Sequence, residues 1–317
     1  TDKVLIDGGI ESVNDATLAG VVAQNAPIVL SSLLDLTLSS MLTGSSAEFT
    51  STYGAILNAG GLSAGIQVDG LLTLSAEAGI GRTGTGELRI DAGTLELTNQ
   101  SSSVYLNVLD TIELAGVSLL GSGNLYLNQA LGDMSITSPV SVAYGRAVIN
   151  AFGALIVEAD INTARDLRVV ADSLTVTDAQ FVAGRGDIVI RTRGDASFDA
   201  TSGATATNGG IAIVSGGTLT VADFEASTQI DLRAPGDLLQ SGGVLTAPVV
   251  RLLSENGDLG SDLNPIMVDA GRVDFSSDGN IYISGTDGIE IGRSGITNNG
   301  GPDDTVTLNI GSGTLSS

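Results

Sequence analysis

The chain has 317 residues, no cysteine, no histidine, a single lysine and a formal net charge of −23. Lacking Cys and His, it can form no disulfide, thiolate nucleophile or Ser-His-Asp triad, and no ordinary zinc or copper site. A surface this acidic repels phosphate backbones and anionic lipid, which removes nucleic acid and membrane insertion from the expected partners.

Composition narrows the class further. Many tight turns are expected from 43 glycines against 6 prolines, and 3% aromatic content argues against aromatic platforms for sugars or bases. No apolar run approaches the roughly 20 residues that span a bilayer, and no basic-then-apolar leader opens the chain. Mature secreted proteins lose their leaders, so this does not point to the cytoplasm.

Residues 1–65 read as less regular N-terminal coils or a cap. Ile28-Val29-Leu30 and Leu36-Thr37-Leu38 alternate as strands do, while Leu34, Leu38 and Met41-Leu42 also fit helical spacing. Ser and Thr fill the intervening positions and no cap or charged face accompanies a helix, so strands are preferred over a short capping helix. From residue 66 to 317 the pattern is a regular repeat region continuous with these coils. Short apolar alternations stand at Leu72-Leu74, Leu88-Ile90, Leu95-Leu97, Val104-Val108, Ile112-Leu114, Leu125-Leu127 and Met134-Ile136.

The repeat is clearest from Gly145 to Ala270. Units opening at Gly145, Arg165, Arg185, Gly209, Gln229 and Pro248 run 20, 20, 24, 20, 19 and 23 residues. Each opens on a run such as Leu167-Val169, Ile188-Ile190, Ile211-Ile213 or Ile230-Leu232 and continues with a second, such as Leu174-Val176 or Leu219-Val221. Runs of three to five residues leave no room for helices. Period-2 alternation turns one face of each short strand inward, and a fixed period near twenty is the pattern of a stacked solenoid. Equivalent Ile, Val and Leu residues should then stack in columns about 4.8 Å apart and form the core of about fifteen coils.

The segment Leu245-Thr-Ala-Pro-Val-Val-Arg-Leu-Leu-Ser-Glu-Asn-Gly-Asp-Leu-Gly-Ser-Asp-Leu-Asn-Pro-Ile-Met-Val268, followed by Gly279-Asn-Ile-Tyr-Ile283, resembles the repeats of filamentous haemagglutinin-like exoproteins of the two-partner secretion class. The likeness covers about fifty residues, and the other repeats share its style. It implies an all-β, right-handed parallel β-helix, exported through a bacterial outer membrane as an adhesin, toxin stalk or matrix scaffold. Those proteins are also poor in cysteine. No Asn-Pro-Asn-Leu secretion motif stands near the start, so the export domain is expected to be missing or to lie outside this segment. The resemblance transfers no catalytic or ligand residue, because such repeats are scaffold. Strand-like runs continue downstream at Val273-Phe275, Ile281-Ile283, Ile289-Ile291 and Val306-Ile310, and repeat-like sequence reaches both ends, as in a section of a longer rod.

Carboxylates, arginines, tyrosines and hydroxyls remain for chemistry. Lys3, at the terminus, is poorly placed as a base. Oxygen ligands for calcium could come from Asp258 and Asp262, or from Asn298, Asp303 and Asp304, but their spacing matches neither an EF-hand loop nor glycine-rich nonapeptides. Other acids gather at Asp187, Asp195 and Asp199 and at Asp274, Asp278 and Asp287. Most sit beside Gly, where Asp forms turns by bonding the local backbone, and this reading is preferred. Glycoside hydrolysis needs two facing carboxylates; Asp187 and Asp231 have an intervening unit between them, and a lyase centre drawn on Asp195, Asp199 and Arg193 has no distinguishing spacing.

Arg185-Gly186-Asp187 and Arg193-Gly194-Asp195 both spell an integrin-recognition tripeptide, and two occurrences exceed what composition predicts. Gly-Asp also recurs at 132–133, 236–237 and 257–258, and Asp187 runs directly into Ile188-Val189-Ile190, so turn chemistry is the preferred reading.

The expectation is a secreted or bacterial cell-surface fibre segment, adhesive or structural and without catalysis or cofactor. Its partner would be a receptor or glycan on a host or neighbouring cell, or further copies of the same rod. The alternatives are a self-assembling surface-layer or filament subunit, and a polysaccharide lyase or hydrolase built on a β-helix.

Overall fold

The computed structural model describes Ile10–Ser12, Ala16–Leu18, residues 26–59, 61–286, 289–302 and 304–310, and Leu315–Ser316. Lys3, Asp287 and Asp303 lie outside the described residues. The chain is all-β, its parallel strands stacked as a β-solenoid of about 13 turns with about 21 residues per turn. That is fewer turns than length divided by period suggests, partly because segments such as 81–87 form loops between strands. Among the described residues the helical segments are two three-residue 3-10 turns, Gly61–Ser63 and Gly84–Gly86. The chain divides into two compact units, Thr1–Ala154 and Leu155–Ser317.

In the first unit the early segment is strand. Pro27–Ser32, Leu36–Leu38 and Met41–Gly44 replace the helix that the spacing of Leu34, Leu38 and Met41-Leu42 offered. A helix would need Leu34 on its buried face, yet Leu34 is 46% exposed while Ile28, Leu30, Leu36 and Leu38 are buried. Alternation wins because each inward residue meets an apolar counterpart one coil on. Leu30 pairs with Phe49, Phe49 with Leu74, Leu74 with Leu97, Leu97 with Val117 and Val117 with Val140. The runs Leu88-Ile90 and Leu95-Leu97 belong to one strand, Leu88–Asn99, and the same continuity joins Gly65–Ala76. Their pairing shifts register between Val68 and Leu71, so one continuous strand serves two faces of the coil.

In the second unit two columns form one wall. One runs Leu167, Ile188, Ile211, Ile230, Val250, Val273, Ile291, and the other Val169, Ile190, Ile213, Leu232, Leu252, Phe275, Ile296. A second wall stacks Leu174, Ala196, Leu219, Leu238, Leu259, Ile281 and Val306. Each buried Leu, Ile or Val contributes roughly 1.5–3 kcal/mol by leaving water. Adjacent columns interlock through aromatics. Phe198 meets Phe181 edge-on at 5.6 Å and Phe224 at 5.0 Å, and all three rings are fully buried.

Replacing Phe198 with Ala empties the middle of this trio. The expected cost is about 3–5 kcal/mol of stability, read as a lower urea midpoint for the second unit; Phe198→Leu should recover most of it.

Candidate functional site

The feature repeated most often outside the core is a polar clasp at the turns between strands. In the second unit it runs up one corner of the coil. Asp195 Oδ1 accepts the N–H of Thr218 (2.7 Å), Asp237 Oδ1 that of Asp258 (2.9 Å), Asp258 Oδ1 that of Asn280 (2.6 Å), and Asn280 Oδ1 that of Thr305 (3.0 Å). Each bond joins a residue to its counterpart one coil later. Serines complete the corner: Ser215, Ser254 and Ser277 donate to the carbonyls of Gly194, Gly236 and Gly257 in the preceding coil. The same hydroxyl oxygens accept the N–H groups of Gly217, Gly257 and Gly279.

Thr218, Asp258 and Asn280 each follow a glycine, and that glycine has a steric cause. A Cβ at Gly257 would lie 2.4 Å from Asp237 Oδ1, inside contact distance, so only glycine lets the next coil settle onto the carboxylate. Gly257-Asp258 is therefore two halves of two clasps. The glycine sits over the acid below, and the acid receives the coil above. In the first unit Asp35 clasps Ala55 (2.8 Å), Asn124 clasps Arg146 (3.0 Å) and Asp133 clasps Ala154 (2.8 Å) in the same way.

Both Arg-Gly-Asp tripeptides fall into this device. Asp187 N–H donates to Asp166 Oδ1 at 3.1 Å, and Asp187 Oδ1 accepts from Gly210 N–H at 2.8 Å. Gly186 is buried, and a Cβ there would stand 2.2 Å from Asp166 Oδ1. Arg185 is exposed. In the second copy Asp195 clasps Thr218, Thr192 Oγ1 donates to the carbonyl of Gly194 (2.7 Å), and Arg193 lies 3.9 Å from Asp172. Both tripeptides thus lie in coil-joining turns, with both arginines and both aspartates exposed.

Among the acids read as calcium ligands, Asp258 is half-buried and spent on the Asn280 N–H, with Asn280 Nδ2 at 3.2 Å. Asp262 is exposed on the following loop. Asn298 Oδ1 accepts the N–H of Gly300 (2.8 Å), and Asp304 Oδ2 accepts that of Gly301. Among the described residues no three Asp, Glu, His or Cys side chains form a metal-binding group.

Asp199 closes a different turn. Ser202 donates to it through both hydroxyl (2.6 Å) and N–H (2.8 Å), and Thr201 through hydroxyl (2.9 Å) and N–H (3.1 Å). The Ser202 hydroxyl foremost, then Thr201 and the Asp178 N–H, hold its carboxyl below the usual range. The strand Ala196–Phe198 separates it from Asp195, so the arrangement of Asp195, Asp199 and Arg193 is not one cluster.

A groove on the outer face of the second unit joins Asp231 and Asp274 to two arginines, Arg233 and Arg251, that the sequence did not single out. Asp231, Arg251 and Asp274 stand in successive coils of one column. Arg233 grips Asp231 through two bonds of 2.9 Å, which raise the guanidinium's pKa. Arg251 reaches Gln229 Oε1 at 2.9 Å and Asp274 Oδ2 at 3.6 Å. Arg251 stands between the two carboxylates, so they do not face each other across open space as a glycosidase pair must. Asp187 belongs to the turn column and Asp231 to the outward face of Gln229–Ala234, so that pair is not brought together either.

No family model, curated protein or solved structure matches this chain. Among the described residues no helix is long and apolar enough to cross a membrane.

Two outcomes follow from the clasps. Asp258→Asn keeps the acceptor oxygen and should leave stability within about 0.5 kcal/mol, whereas Asp258→Ala strands the Asn280 N–H and should cost about 1–2 kcal/mol in urea unfolding; calcium should shift neither. Because Asp199 is bonded in its ionised form, its stabilisation is present above the unfolded carboxyl range near 3.8 and is lost as pH falls through its lower folded value. Ser202→Ala should move the Asp199 midpoint upward in a carboxyl-carbon NMR titration.

Proposed function

We propose that this chain is a load-bearing and adhesive segment of a secreted or cell-surface bacterial fibre, of the kind the filamentous haemagglutinin-like resemblance implies, and that it acts without catalysis. The observation that supports this most directly is the double connection between coils: aliphatic columns inside and a clasp or serine bond at the turns. Parallel backbone ladders bind each coil along its strands, where separation is opposed by many bonds at once. Side-chain clasps add bonds at the turns, where strand ladders stop. The high net negative charge keeps such segments from associating indiscriminately.

Function then resides in what the outward residues touch. Strand positions facing water alternate with core positions along every coil, so equivalent outward side chains recur at the strand spacing of about 4.8 Å and present a periodic surface to a receptor or glycan. The paired charges of the Asp231–Arg251–Asp274 column fit this reading better than they fit hydrolysis, since each acid has an arginine partner.

The test is retention under flow. Protein coupled to beads should hold them on bacterial or host cell surfaces, and Asp231→Asn or Asp274→Asn should not release them. Depolymerisation of any polysaccharide in a broad panel, abolished by Asp274→Asn, would overturn the proposal in favour of an enzyme.

A further inference from the structure

One outward column of the first unit carries a ring stack with a vacant rung. Tyr105 and Tyr126 occupy the same position of successive coils, within Val104–Val108 and Leu125–Gln129. Their rings are parallel to within 4° with centroids 4.7 Å apart, so strand spacing and stacking distance coincide. Arg146 locks the upper ring: its guanidinium lies 5.4 Å from the Tyr126 centroid and donates to the phenol oxygen at 2.7 Å. Below Tyr105 the series is broken. Ile56, Ile80 and Val104 pair in succession, which brings the next residues, Leu57, Gly81 and Tyr105, into one column.

Gly81 contributes no side chain to that column. It has φ +65°, and a Cβ would lie 2.3 Å from the Tyr105 carbonyl oxygen, so the position is closed to other residues. A cavity of about 390 Å³ opens there, lined by Leu57, Gly81, Arg82, Thr83, Ser102 and Tyr105 among others. Leu57 and Tyr105 lie two strand spacings apart, roughly 9.6 Å, and one ring thickness fits between them.

We infer that this slot is a glycan subsite in which one pyranose ring stacks against Tyr105 in the rung that Gly81 leaves open; the inference deepens the adhesive reading and rests on it. The chemistry of the lining selects the ring. Leu57 and the Tyr105 ring suit the C–H face of a sugar, and Arg82, Thr83 and Ser102, which share the mixed polar lining, suit its hydroxyls. Nucleotide rings meet the same wall, but the net charge of −23 opposes their phosphates. The stack above Tyr105 is held by Tyr126 and Arg146, so the platform is preformed and little ordering is lost on binding.

The experiment is saturation-transfer NMR and tyrosine fluorescence titration of the whole chain with neutral di- to tetrasaccharides of glucose, galactose and N-acetylglucosamine. At least one should bind with transfer from tyrosine ring protons. Tyr105→Ala should weaken it roughly tenfold and Tyr105→Phe should not, because the ring face rather than the phenol makes the contact. Far-UV circular dichroism and melting of each variant show that the fold is intact. Equal binding by the Ala variant, or no binding across the panel, overturns the subsite. Bead retention on cells separates the two levels: retention with an unimpaired Tyr105→Ala variant rejects the slot and leaves the adhesive reading standing, whereas no retention by the unaltered chain rejects both.

Discussion

Parallel in-register pairing places every residue directly above its counterpart one coil earlier, at a distance of about 4.8 Å. Everything else in the structure answers to that constraint. For apolar side chains it is favourable, because like packs on like and the column dries itself, as from Leu167 to Ile291. For carboxylates it is unfavourable, because identical charges would meet at short range in a chain already carrying a large negative excess.

The turn clasps resolve that conflict. Instead of facing another acid, each clasping carboxylate faces a backbone N–H of the coil above, a neutral donor oriented by the turn and brought close by a preceding glycine. Where acids enter strand columns another residue comes between them, Arg251 between Asp231 and Asp274 and Thr73 between Glu48 and Glu96. The acidic composition is thus partly structural. Carboxylates serve as acceptors that tie coils together at the points where the ladders of strand hydrogen bonds end.

The same constraint makes omissions informative. A column that holds Leu57, then glycine, then tyrosine, then tyrosine contains a gap of defined thickness, because neighbouring rungs cannot close up without breaking the backbone ladder. In a close-packed core the space of a missing side chain is partly taken up by relaxation of its neighbours. On the outward face of a solenoid it stays open, and its walls are set by the spacing of the strands.

Fold class was legible in the sequence because it depends on two local quantities, the alternation within strands and the period between them, which survive in residues such as Ile188-Val-Ile190 and Ile211-Ala-Ile213. The Gly-Asp recurrence was legible as turn chemistry for a related reason: its residue types have strong local preferences. The acceptor of each turn was not. Asp258 bonds a residue 22 positions away, and nothing local distinguishes that from a bond to its own turn. The twice-repeated Tyr-Leu-Asn, at Tyr105 and Tyr126, was present as a signal, but low aromatic content argued against a platform, and two tyrosines become one only when the register stacks them. By itself, then, the sequence determined the class of fold and the inward face of each strand, since both follow from the order of neighbouring residues. Tertiary structure alone decided which acids hold coils, which are held by arginine and where a ring can enter, because those depend on exact register between coils, where a shift of one residue exchanges every partner.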